Sequence, residues 1–251
     1  MNKIFKPLST IQILGISFIK GKVSDAFLYL KNKGGLMTVP AAPALVTITY
    51  DKAYYQSLLK SDLVIPDSGY MILIWNMISS NKLYKISGLE FIDYFVNESK
   101  TINQSKLLLV NPSHEDGQIN LNYLVSKGFN EETIYNFTAP FYGDNVIDTD
   151  LIELCEKIQP KWIMINIGGG TQEKLGLFLK ENLSYKPAIM CTGAAISFKT
   201  GRQVKMPLWV DRMYLGWLSR CISNPKVFIP RYLKGFKLLK LILLHKSNTI
   251  K

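Results

Sequence analysis

The chain is poor in the residues that mark several protein classes. Of its 251 residues, three are cysteine and two are histidine. Cys155, Cys191 and Cys221 stand singly, without a Cys-x-x-Cys pair. That excludes a disulfide framework and fits reduced thiols in a cytosolic protein. His114 and His245 have no ligand cluster near them in sequence, so no metal site is expected, and no Asp-x-Asp run is taken to hold a magnesium–diphosphate. His114 beside Glu115 and Asp116 reads as a solvated loop. There is no Gly-x-Ser-x-Gly elbow for a serine hydrolase, no Walker A loop and no Gly-x-Gly-x-x-Gly. No apolar run approaches the roughly 18 residues of a membrane-spanning helix. Residues Met1–Pro7 lack the apolar core and cleavage site of a signal peptide.

Acid is scarce at one end. From Lys199 onward lie twelve of the 30 Lys/Arg but one of the 19 Asp/Glu, Asp211, which leaves 18 of each sign before it. The whole net charge of +11 therefore sits in the last 53 residues. Such asymmetry points to a polyanion, either nucleic acid or an anionic membrane surface. No helix-turn-helix, KH or RNP pattern appears, so nucleic acid is not expected. Past Pro230, Arg231–His245 reads as one helix. At about 100° per residue, Tyr232, Phe236, Leu239, Ile242 and Leu243 gather on one face, opposite Arg231, Lys234, Lys237 and Lys240. A basic amphipathic helix suits a lipid interface; docking on the protein itself is the alternative.

Apolar residues make up 47% of the chain, enough for a real core. The organising stretch is Ser61–Gly69. Leu63-Val64-Ile65 suits a buried strand that Pro66 ends. Asp67-Ser68-Gly69 makes a turn, and Tyr70–Ile78 suits a helix buried on most of its surface. Asp67 thus falls between a strand's carboxyl end and a helix start, where open α/β sheets hold their ligands; a plain helix cap is the simpler role. Ile11–Ile19 suits a strand or hairpin, Val23–Lys33 a helix broken by Gly34-Gly35, and Leu36–Val39 a strand. Asp51 is placed to cap Lys52–Leu59, and Ser87 to cap Leu89–Phe95 in a capping box with Glu90. From Lys106 strands and helices alternate: Leu107–Val110, Ile119–Lys127, Thr133–Phe137, Asp150–Ile158, Trp162–Ile167, Gln172–Glu181 and Pro187–Thr192. Alternation implies right-handed crossovers and a parallel sheet, hence a Rossmann-like α/β core flanked by helices. The expected division is 1–198 for this core and 199–251 for a basic helical appendage.

The turn Gly168-Gly169-Gly170 after a strand lets backbone approach a phosphate, with the next helix start offering N–H groups. A turn that only packs helix on strand is an equal reading. Gln172 and Glu173 open that helix and could reach a ligand. No acid ends the next strand to hold a ribose, as NAD folds require.

In order, these pieces resemble the WecG/TagA/CpsF glycosyltransferases over roughly residues 10 to 235. The anchors are Ser61-Asp62 with Pro66-Asp67-Ser68-Gly69, Ile86-Ser87-Gly88-Leu89, Gly170-Thr171-Gln172-Glu173, the Gly193-Ala194 turn, Pro207-x-Trp209, Trp217-x-x-Arg220, and Pro225 before Arg231. The resemblance implies an inverting, metal-independent transfer of a hexosamine-type sugar, N-acetylmannosamine-like, from a UDP-sugar. The acceptor would be a sugar linked to undecaprenyl diphosphate, in surface polysaccharide or teichoic acid synthesis. It makes Asp67 the general base. It places Thr38, Ser68, Gly69, Lys85, Ser87, Gly88, Gly168, Gly169, Gly170, Gln172, Glu173, Gly193, Arg220 and Arg231 around the substrates, with Lys234, Lys237 and Lys240 at lipid headgroups. No cofactor beyond the donor is implied. The protein would work in the cytoplasm, held peripherally at the membrane's inner face, with a homo-oligomer left open. The chain departs from the pattern by inserting Ser68 between Asp67 and Gly69, by lacking the asparagine near Val39–Ala41, and by carrying Lys85 for arginine. It also has Gly170-Thr171 for Pro-Lys and Gly216 for glutamate. Two other readings are a catalytically decayed nucleotide-sugar or lipid-surface binding protein, and a methyltransferase or dehydrogenase built on the glycine turn.

Overall fold

The computed structural model describes residues 8–102, 104–143, 145–202, 218, 221–222 and 224–250. The described strands form one sheet in the order β1-β2-β4-β3-β8-β7-β5-β6. They are β1 (Ser9–Ile13), β2 (Ile16–Lys20), β3 (Gly35–Thr38), β4 (Leu63–Val64), β5 (Leu107–Asn111), β6 (Ile134–Thr138), β7 (Trp162–Ile165) and β8 (Ala188–Cys191). β1 and β2 are an antiparallel hairpin, and every other neighbouring pair is parallel. The Rossmann-like expectation is met. The flanking helices are α1 (Val23–Lys33), α2 (Lys52–Leu59), α3 (Gly69–Ile78), α4 (Gly88–Asn97), α5 (His114–Ser126), α6 (Thr149–Ile158) and α7 (Thr171–Asn182). After them come α8 (Pro225–Gly235) and α9 (Lys237–His245).

Strand residues alternate between two cores, as the pleat requires. Met37, Leu63, Leu107, Leu109, Trp162, Met164 and Met190 face one layer, with Phe27, Phe91 and Phe95. There the Phe27 ring stacks on Trp162 at 5.7 Å. Leu36, Leu108, Val110, Ile163, Ile165 and Ile189 face the other, with Leu175 and Leu179 of α7. A third cluster, under the hairpin and β4, gathers Phe18, Tyr54, Val64, Met71, Ile72, Trp75, Leu238 and Ile242.

Several expectations change. Between β3 and α2 the chain forms a short helix (Ala42–Leu45) followed by a 3-10 turn (Val46–Thr49). α5 begins at His114, five residues early, because Ser113 caps it: its Oγ accepts from Asp116 N–H at 3.1 Å. His114 is exposed, but it opens a helix rather than lying in a loop. The expected single helix Arg231–His245 is two, α8 and α9, with Pro230 inside α8. The side chains that α9 buries are Leu238 and Ile242: of the expected face Ile242 docks, Leu238 joins it, and Leu239 and Leu243 stay exposed. The segment beyond α9 is laced to the hairpin: Leu14 N–H donates to the Lys246 carbonyl (2.7 Å) and Gly15 N–H to that of Ser247 (3.1 Å). Among the described residues no helix is long and apolar enough to cross a membrane.

Candidate functional site

The carboxyl ends of β3, β4 and β8 meet at the turn after β4. Pro66 cannot continue the ladder, and Ser68 starts α3, its Oγ accepting from Met71 N–H at 3.2 Å. The cap is therefore Ser68, which relieves Asp67 of that role. Asp67 is half-buried, and its Oδ1 accepts from the Gly88 N–H at 3.1 Å. The neighbouring crossing is fixed by Ile86 N–H donating to the Pro66 carbonyl at 3.1 Å. Ser87 caps α4, its Oγ accepting from Glu90 N–H at 2.9 Å. Gly88 packs against two neighbouring segments: a Cβ there would be in ordinary contact, 3.4 Å from Val39, 3.7 Å from Ala195 and 3.8 Å from the Thr192 carbonyl. One backbone N–H thus ties the carboxylate to three strand ends. Lys85, half-buried, lies two residues before Ser87. Gly69 is the first residue of α3. Thr38 ends β3 fully buried, with its hydroxyl 3.0 Å from Ser61 Oγ.

The second group lies on β7, β8 and the start of α7. A Cβ at Gly168, Gly169 or Gly170 would meet no atom within 4 Å, so the turn is open above. Gly170 has φ +93°, which glycine adopts at no steric cost. Its N–H donates to Glu173 Oε2 at 2.6 Å, and Gln172 Nε2 donates to Glu173 Oε1 at 3.0 Å. Glu173 is 1% exposed, and burial pushes its carboxyl up to about 7 against the N–H donors and Lys174, which pull it down. A helix start whose first N–H is already claimed by its own carboxyl is a poor diphosphate cradle, because an ionised Glu173 repels the ligand. Gly193 approaches Gln172 closely: a Cβ there would stand 3.3 Å from Gln172 Nε2.

Sequence reasoning missed an asparagine network beside this group, in which Asn111, Asn120 and Asn166 are buried and Asn136 is exposed. Asn111 Oδ1 accepts from Asn120 Nδ2 (2.8 Å) and Asn166 Nδ2 (2.9 Å), while Asn111 Nδ2 donates to Asn136 Oδ1 (3.1 Å). The Leu109 carbonyl, 3.3 Å from Asn111 Nδ2, fixes the direction of the whole set. Asn166 Oδ1, Gln172 Oε1 and Thr192 Oγ1 are buried without a hydrogen-bond partner among the described residues. A buried polar atom left unmade costs about 1–3 kcal/mol. These atoms cluster at the ends of β7 and β8 and accept hydrogen bonds, so they match a neutral donor such as a hydroxyl. The signal available in the sequence was an asparagine ending β5 and another just after β7.

The chain does contain one Asp-x-Asp, Asp148-Thr149-Asp150, but its geometry is structural. Asp148 caps α6, Oδ1 accepting from Leu151 N–H (2.9 Å) and Oδ2 from the Tyr142 hydroxyl (2.5 Å). Among the described residues no three His, Cys, Asp or Glu side chains converge. Arg220 lies outside the described residues, as does the side chain of Arg231, whose backbone is in α8. Lys234, Lys237 and Lys240 lie on α8 and α9, exposed to solvent.

A carboxylate, capped helix starts and an open glycine turn along one carboxyl edge define an α/β protein that binds its ligand at the sheet edge. The model of the Glycosyl transferase WecG/TagA/CpsF family matches residues 11–251. The chain belongs to that family and is a glycosyltransferase. No curated protein matches it.

Proposed function

We propose that the protein moves a hexosamine-type sugar from a UDP-sugar to a sugar on undecaprenyl diphosphate, in bacterial surface polysaccharide or teichoic acid synthesis. The observation that carries this reading is the Asp67 carboxylate, freed from capping by Ser68 and aimed by Gly88 N–H at the convergence of three strand ends. In the transfer, the acceptor hydroxyl oxygen bonds to the donor's anomeric carbon. The bond from that carbon to the diphosphate breaks, UDP departs with the electron pair, and Asp67 takes the hydroxyl proton. Attack from the face opposite UDP inverts the centre, and no metal is required.

The donor is placed by charge. Its hydroxyl-bearing part lies over Gly168–Gly170, near Gln172, Thr192 and Asn166, whose unpartnered oxygens accept from it. Its diphosphate lies away from Glu173, toward Lys85, with Arg220 and Arg231 as the further cations that the family pattern assigns to it, because a departing dianion needs cations or donors preorganised around it. Thr38, paired with Ser61, supports the β3 end from below. Lys234, Lys237 and Lys240 meet anionic headgroups at the membrane's inner face, where the lipid-linked acceptor resides.

The test is UDP release across a panel of UDP-sugars with a short-chain lipid-diphosphate-linked sugar as acceptor, in the wild type and in Asp67→Asn. Acceptor-dependent release from one donor, lost by at least about 100-fold in the variant, is the expected result. A folded Asp67→Asn protein with full turnover sinks the assignment of the base. UDP binding without release from any donor favours the decayed binding protein.

A further inference from the structure

α3 carries no charged residue, yet it is not wholly buried. Met71, Ile72, Ile74 and Trp75 enter the core, while Leu73 is 52% and Met77 85% exposed. Tyr70, Leu73 and Met77 follow i, i+3, i+7 spacing and share one stripe. α9 packs beside α3 through Leu238 and Ile242. It leaves Phe236 61%, Leu239 42% and Leu243 48% exposed, again at i, i+3, i+7. The two stripes meet where the Tyr70 and Phe236 rings stand edge to face at 5.4 Å. Two unrelated segments, over 150 residues apart in sequence, therefore set two exposed apolar stripes side by side. A contiguous apolar face of this kind on a well-packed α/β fold marks an interaction surface.

Charge selects what covers it. No acid occurs between Asp67 and Glu90, nor anywhere after Asp211. The cations flanking the stripes are Lys82 and Lys85 after α3, and Lys234, Lys237, Lys240 and Lys246 around α9. An apolar face whose two helices, and the segments that follow them, carry lysines and no acid complements an anionic bilayer, with apolar side chains entering the acyl boundary and lysines at the headgroups. A second copy of the same face would set lysines against lysines.

We propose that α3 is the second half of the membrane-binding face, with Leu73 and Met77 inserting beside Phe236, Leu239 and Leu243. This rests on the transferase reading and deepens it. α3 starts at the Asp67-Ser68-Gly69 turn, and at 1.5 Å per residue its far end, Met77, lies about 15 Å from Asp67. The helix that begins at the base thus lies along the bilayer that holds the acceptor. An acceptor sugar reaches Asp67 without its polyprenyl chain leaving the membrane.

The test uses the full chain with phosphatidylcholine vesicles, with and without phosphatidylglycerol, and compares the wild type with Leu73→Gln/Met77→Gln and with Met77→Trp. Both positions are exposed, so the fold tolerates the changes. The double variant is expected to bind anionic vesicles at least about tenfold more weakly. It should also lose turnover on a full-length polyprenyl acceptor in vesicles while keeping it on a short-chain soluble one. The emission that Met77→Trp adds to the wild-type spectrum should shift to the blue when vesicles are added. Unchanged vesicle binding by the double variant, together with no blue shift from Met77→Trp, overturns the proposal. So does a lipid-free wild type that sediments as a dimer which the double variant dissolves, because a second copy then covers the face. A wild type that ignores anionic vesicles removes the membrane assignment altogether, whereas failure of the transferase reading shows independently as no turnover on the soluble acceptor.

Discussion

Glu173 is a carboxyl whose environment and ordinary chemistry disagree. Burial holds its carboxyl near 7, above the usual carboxylate range. The sign follows from proton counting. Between about pH 4.5 and 7 the unfolded chain has lost this proton and the folded protein keeps it, so stability falls as pH rises and the full penalty stands above 7. Two and a half pH units correspond to on the order of 3 kcal/mol. Glu173→Gln keeps an acceptor for the Gly170 N–H and cannot ionise. Urea unfolding at pH 5 and pH 8 should show the wild type losing stability relative to this variant by roughly that amount; parallel pH profiles would refute it. Asp67 shows how far residues alone can be read. Its position after an apolar run and a proline made it a candidate, and a cap was the simpler alternative. Only the fold reveals that Ser68 caps α3 and that Gly88, 21 residues away, holds the carboxylate. Asn111, Asn120, Asn136 and Asn166 were illegible for the same reason. Their meaning lies in mutual contacts across β5, β6, β7 and α5, and no local pattern announces a partner 55 residues distant.

At the scale of elements, α7 depends on one close approach. A Cβ at Gly176 would lie 2.7 Å from both Cys191 Sγ on β8 and Leu36 Cδ1 on β3. Gly176 lets α7 sit deep against the sheet, and the same helix carries Gln172 and Glu173 at its start. Gly176→Ala must lift the helix or displace the strands. Overpacking of this kind costs about 1–3 kcal/mol, less a gain of up to about 1 kcal/mol from the better helix former. The expected outcome is a lower melting temperature together with weaker UDP binding; a variant that keeps both would show that α7's seat does not set the site. Elements were the most legible scale. The parallel strands from β5 onward read correctly because buried runs of Leu, Ile and Val alternate with capped helices. α8 and α9 read less well. Their sequence is apolar at too many positions for periodicity to choose a face, so the choice of Leu238 and Ile242 as buried was made by α3 and the hairpin. The break after Gly235 carries no stronger local signal than a single glycine.

At the scale of the molecule, part of the basic C-terminus, Lys234, Lys237 and Lys240, shares α8 and α9 with one of the two apolar stripes. The sequence showed the charge directly, since counting needs no fold. It could not show that α3 and α9 are neighbours, because that adjacency is a tertiary fact. The two contributions are separable by salt. Lysine attraction to an anionic surface is worth about 1 kcal/mol per residue and fades as the Debye length shrinks from about 10 Å at 0.1 M to 3 Å at 1 M. Insertion of Leu73, Met77 and Phe236 is insensitive to screening and strengthens slightly with excluded salts. Lys234→Gln/Lys237→Gln/Lys240→Gln should therefore weaken binding to anionic vesicles by about 100-fold at low salt, and the remaining affinity should depend on salt less steeply, with Lys82, Lys85 and Lys246 still present. Leu73→Gln/Met77→Gln should do the reverse, leaving a weaker association that salt abolishes. Co-sedimentation with vesicles across a salt series distinguishes the two. If the lysine variant kept the full salt dependence of the wild type, the charge acting at the membrane would lie elsewhere on the chain. If both variants lost affinity in equal proportion at every salt concentration, the stripes and the lysines would not be separate contributions to one face.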